Sequence, residues 1–109
     1  MATTYKILGQ SSPAATTPTD LYTVPSATSA VGSSLIVSNR GTALASFRVS
    51  VSAAGAATTN KDYIYYDLPI AGNDTFIATI GITLATTDVV RVYSSNSNLS
   101  FQLYGSQIA

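Results

Sequence analysis

From residue 31 onward the chain is a series of β-branched runs cut by turn signals: SNRGT at 38–42, SAAGAATTN at 52–60, PIAGND at 69–74, LATTD at 84–88 and SSNSN at 94–98. Such signals, recurring every 8 to 16 residues, are the pattern of an antiparallel sandwich or barrel. The runs between them have a period of two. In SFRVSV, Phe47, Val49 and Val51 alternate with Ser46, Arg48 and Ser50, which places one face on a core and the other toward solvent. The same reading puts Leu35 and Val37 inward in SSLIVSN, and Phe76, Ala78, Ile80 and Ile82 inward in DTFIATIGIT. It also turns Val90 and Val92 inward opposite Arg91, and Leu99, Phe101 and Leu103 inward in NLSFQLYGS.

With DYIYYDLP and two N-terminal candidates, TYKIL and LYTVP, this makes about seven or eight strands, enough for two facing sheets. The predicted fold is all-β: an antiparallel β-sandwich, jelly-roll or Ig-like, with an extended N-terminal arm. Pro13, Pro18 and Pro25 disfavour helix over residues 1–30, which are expected to form the arm with one or two edge strands; residues 10–19 are expected to be mobile. Residues 31–109 form the sandwich body of a chain whose 109 residues suit a single domain.

Ala, Ser and Thr supply 15 residues each, so the core rests on a limited set of Val, Ile, Leu, Phe and Tyr. Five basic and five acidic residues are scattered without a stripe or cluster, which speaks against nucleic acid and anionic membrane surfaces as partners. A surface so poor in charge, with zero net charge, repels itself weakly; association, including with its own kind, is expected. No run approaches the length of a membrane span, and MATTYKILGQ lacks the basic and apolar segments of a secretory signal. Synthesis in a cytoplasm is the expectation.

Catalytic chemistry finds little to work with. There is no histidine to serve as base, no G-x-S-x-G elbow, and no cysteine. Asp62 and Asp67 lie five residues apart, on opposite faces of a regular strand, so they make a poor carboxylate pair. Zinc lacks nitrogen and sulfur ligands, and calcium lacks a D-x-D-x-D-G loop. Asp74 and Asp88 read as turn residues, and the single glycines form no phosphate cradle. No enzyme activity, cofactor or metal is expected.

The segment NKDYIYYDLP is the one aromatic concentration. With Ile64, Tyr66 and Leu68 on the core, Tyr63, Tyr65 and Asp67 point outward as a candidate protein-contact surface, since tyrosine rings and hydroxyls both serve contacts at low entropy cost. A sugar is the second candidate ligand. The alternative is that loops or the stems of Arg48 and Arg91 cover these rings.

The stretches LYTVP at 21–25, IVSNRG at 36–41, SFRVSV, TLATTDVVRVYSS and LSFQLYGS resemble small accessory virion proteins of tailed bacteriophages, across nearly the whole chain. The resemblance rests on strand and turn patterns, with no catalytic motif to transfer. It implies a non-enzymatic structural protein of the virion, present in many symmetric copies. Foremost is a capsid decoration or cement protein that binds the major capsid protein and stabilises the head. The alternative is a tail, baseplate or fibre-associated module that partners tail proteins of the virion, including an adhesin that itself touches the host surface.

Overall fold

A computed structural model describes residues 2–109. Eight strands run in chain order: β1 (Thr3–Ser11), β2 (Thr19–Thr23), β3 (Ser29–Asn39), β4 (Ala45–Ser52), β5 (Tyr63–Ile70), β6 (Thr75–Leu84), β7 (Val89–Ser94) and β8 (Leu99–Ile108). Two short 3-10 turns, Ala53–Gly55 and Asn60–Asp62, lie between β4 and β5. Among the described residues no helix is long and apolar enough to cross a membrane.

The strands form two four-stranded antiparallel sheets, ordered β1-β8-β3-β6 and β2-β7-β4-β5. Each strand pairs with the one counted equally far from the other end of the chain: β1 with β8, β2 with β7, β3 with β6, β4 with β5. That is the pairing of one long hairpin. The added ladders β3–β8 and β4–β7 roll it into two layers, which is the jelly-roll arrangement. Of the two sandwich types the sequence allowed, the pairing selects this one.

The core lies where the alternation placed it. Leu35, Val37, Phe47, Val49, Val90, Val92, Leu99, Phe101 and Leu103 are buried between the sheets, each stabilising by about 1.5–3 kcal/mol. Phe47 lies at the centre, with ring centroids 5.5 Å from Phe76, 5.9 Å from Phe101 and 6.1 Å from Tyr65.

The N-terminal residues are built into the body. β1 and β2 supply one edge strand to each sheet, and β1 pairs with β8 from Thr3 to Ser11. The β1–β2 connection, within the stretch expected to be mobile, is anchored: the Thr16 amide donates to the Ser94 carbonyl at 2.8 Å, and Arg40 Nη2 donates to Ser12 Oγ at 2.8 Å. Gly9 is required here, because a Cβ at that position would lie 2.1 Å from the Leu21 carbonyl oxygen of β2.

Candidate functional site

The aromatic strand β5 does not keep the alternation its sequence suggests. Against β4, Leu68 pairs with Phe47 and Tyr65 with Val49, so Tyr66 and Asp67 together oppose Arg48. This is a β-bulge, and Asp67 takes the left-handed backbone it needs, with φ of 53°. A second shift follows between Tyr65 and Tyr63. The consequence is an exchange of faces. Tyr65, expected outward, turns in and packs on Phe47 and on Phe76, the latter with ring centroids 5.2 Å apart. Tyr66 and Ile64, expected inward, are exposed. Tyr63 and Asp67 are on the outer side as expected, Tyr63 half-buried against Tyr66 edge-to-face at 4.9 Å, and Leu68 packs on the core. Truncating the inward ring should therefore cost more: Tyr65→Ala is expected to destabilise by about 2–3 kcal/mol and Tyr66→Ala by about 1 kcal/mol or less in chemical denaturation. Equal losses would contradict the bulge.

The outer face of the β2-β7-β4-β5 sheet is polar but internally neutralised. Arg48 Nε and Nη2 donate to the two Asp67 oxygens at 2.7 and 3.3 Å, while its guanidinium lies 4.2 Å from the Tyr66 ring centre and 4.4 Å from that of Tyr93. The Asp67 hydrogen bond holds the Arg48 pKa above its ordinary value. Arg91 donates to Asp20 at 3.0 Å, to Ser52 Oγ at 3.0 Å, to the Ala56 carbonyl at 2.7 Å and to Thr58 Oγ1 at 3.2 Å, tying the 53–62 loop to the sheet. A cleft of about 90 Å³ lies between the two arginines, lined also by Ser50, Tyr63 and Tyr93. Its donors and aromatic faces suit a neutral polar group.

The aspartates serve the chain itself. Asp62 accepts from the Thr59 amide at 2.9 Å, a bond that holds its carboxyl below the usual range, and Asp88 accepts from the amides of Ala54 and Ala85. Asp74 accepts from Thr75. Among the described residues no group of three potential metal-binding side chains converges.

The opposite outer face, on β1-β8-β3-β6, has a different character. Register places Tyr5, Ser106, Val31 and Thr83 in one row across it, Ile7, Tyr104, Ser34 and Thr79 in the next, then Gln10, Gln102, Ile36 and Ile77. These side chains carry no formal charge at neutral pH. Tyr5 is 85% exposed and Ile77 65%. Arg40 borders one end of the face, bonded to Ser100 Oγ and the Ser97 carbonyl, and Lys6 lies on the other side of the sheet, opposite Gly105. The broad neutral face was not singled out from sequence, although its signal is present: β3, β6 and β8 contain no Asp, Lys or Arg at all.

Neither a family model nor a curated protein matches the chain. Its fold does match a chain in the structure of infectious bursal disease virus, Gx strain, with a TM-score of 0.57 and 11% sequence identity. The match covers 97% of this chain and 32% of that one, so this chain spans about a third of its structural neighbour. At that identity the likeness is one of fold.

Proposed function

We propose that the protein is a non-enzymatic structural component of a virion, a capsid decoration or cement protein that lays its neutral β1-β8-β3-β6 face on the lattice of the major capsid protein. The observation that carries the reading is that face: three rows across four strands without a charged side chain, with Tyr5, Ile7 and Ile77 exposed. Covering it desolvates no ion, whereas covering the other face would strip water from the Arg48–Asp67 and Arg91–Asp20 pairs. Exposed tyrosine and isoleucine among Ser, Thr and Gln give the apolar centre and polar surround of a protein contact. Support comes also from the resemblance of the strand and turn segments to accessory virion proteins of tailed bacteriophages, and from a sandwich fold found in a virus structure.

Purified protein added to capsids that lack it should bind and raise their resistance to heat. Tyr5→Asp with Ile7→Asp places two charges on the face without touching the core, and is expected to weaken capsid binding by about 100-fold, some 2.8 kcal/mol. Unchanged binding by that variant would remove the face from the contact, and failure of the wild type to bind would overturn the cement role. The tail-associated alternative is favoured by the cleft beside Tyr63 and Tyr93, whose donors and rings suit a host-surface sugar. Loss of host attachment on Tyr63→Ala with Tyr66→Ala, at unchanged capsid heat resistance, would move the role there.

A further inference from the structure

We infer that two copies of this chain pair through the free edge of β6, antiparallel about a two-fold axis, joining their β1-β8-β3-β6 sheets into one sheet of eight strands. The inference rests on a comparison of the four sheet edges and not on the virion reading. An open strand edge exposes a row of unpaired amides and carbonyls, and chains that stay apart blunt it with charges, proline, bulges or short strands. Three edges here are so blunted. β1 carries Lys6 on the inner side of its sheet and a bulge at Leu8. β2 has five residues, an aspartate at position 20 and a bulge before Tyr22. β5 holds Pro69, the left-handed Asp67 and two register shifts.

β6 has none of the chemical devices. Its ten residues, TFIATIGITL, contain no charge and no proline, and the one bulge, where Ile80 and Gly81 together oppose Ser33, leaves its alternation intact from Thr75 to Leu84. The core is also least covered along this flank. Of the six partly buried apolar residues packed on the core, five lie on β5 or β6: Tyr65, Leu68, Phe76, Ile80 and Ile82. Exposed Ile64, Tyr66 and Ile77 lie on the same two strands.

A second copy fits this edge on three grounds. Antiparallel pairing about a two-fold axis sets side chains of one face against the same face of the partner, so Phe76, Ala78, Ile80 and Ile82 meet their counterparts inside, and Thr75, Ile77 and Thr79 theirs outside. An uncharged strand has no like charges to oppose in such self-pairing. A stable pair also needs about 800 Å² from each partner, more than a bare edge supplies, and the half-buried β5–β6 flank is the adjoining apolar surface that makes up the difference.

Light scattering on the eluting protein at high concentration is expected to give twice the 11.3 kDa chain mass. Ile77→Lys with Thr79→Lys places on β6 the device the other edges carry, on exposed outer positions, and should halve that mass; Tyr5→Lys, on the β1 edge, should leave the pair intact. In the wild type, amide exchange along Thr75–Leu84 should slow as concentration rises. A monomeric or trimeric wild type, a double-lysine variant that remains paired, or exchange along β6 that ignores concentration would each overturn the inference. A monomer that still binds capsids would defeat self-pairing while leaving the cement role standing.

Discussion

Phe47→Ala is expected to destabilise the fold by about 3–5 kcal/mol, lowering the thermal midpoint by roughly 15 °C or more. Phe47 has no exposed surface and lies within 6.1 Å, centroid to centroid, of Tyr65, Phe76 and Phe101. Those three rings belong to β5, β6 and β8, so the one side chain on β4 bridges both sheets. Its removal takes away its own transfer free energy and leaves a cavity that three large, mutually packed rings fill poorly. The chain has few replacements to offer, since its commonest residues are Ala, Ser and Thr. Against a total stability of about 5–15 kcal/mol, the variant should be partly unfolded at moderate temperature. Phe47→Leu, which keeps most of the volume, should cost about 1.5 kcal/mol or less. A loss below that figure for the alanine variant would mean that the aromatic cluster is not the centre of the core.

That cluster also marks where sequence reading succeeds and where it stops. Phe47, Phe76 and Phe101 sit in runs with unbroken alternation, so their inward direction follows from parity alone. Tyr65 does not, because the face of a residue on β5 depends on whether the strand inserts an extra position against β4. The only local sign is an aspartate, a residue that tolerates the left-handed backbone better than most, directly after two tyrosines. Parity carried through the bulge reverses the assignments of Tyr66, Tyr65 and Ile64, and the second shift restores that of Tyr63. Residues 10–19 present a related difficulty: their Pro, Ser and Thr content describes a loop, while the bonds that fix it come from Arg40 and Ser94, far away in sequence. The neutral outer face needs still longer-range information. The lack of charge in β3, β6 and β8 is plain in the sequence, but their shared sheet comes from pairings such as Leu35 with Leu103 and Ala78.

Asn39→Leu is expected to cost about 3 kcal/mol despite replacing a polar residue with an apolar one of similar size in a buried position. Asn39 is 2% exposed, and its side chain is fully engaged. Nδ2 donates to the Ala43 carbonyl at 2.9 Å and to the Ile70 carbonyl at 3.2 Å, and Oδ1 accepts from the Gly41 amide at 3.0 Å. The residue thus closes the β3–β4 turn and clamps that turn to the end of β5. Leucine would leave two carbonyls and an amide without partners in a site where water has little access, at about 1–3 kcal/mol for each group left unsatisfied, with relaxation of the turn recovering part of the loss. Asn39→Asp keeps the acceptor for Gly41 but sets a buried carboxylate against two carbonyl oxygens, and should be at least as damaging. The effect should also reach the inferred pairing edge. The turn carries the Gly41 carbonyl that accepts from the Asn73 amide, and the Asn39 amide itself donates to the Asp74 carbonyl, so the corner that delivers the chain into β6 hangs on this turn. Amide exchange in Asn39→Leu should therefore accelerate first at residues 41–45 and 70–76, ahead of the β7–β8 core. Uniform acceleration across all eight strands would show that Asn39 supports the fold as a whole and does not hold that corner.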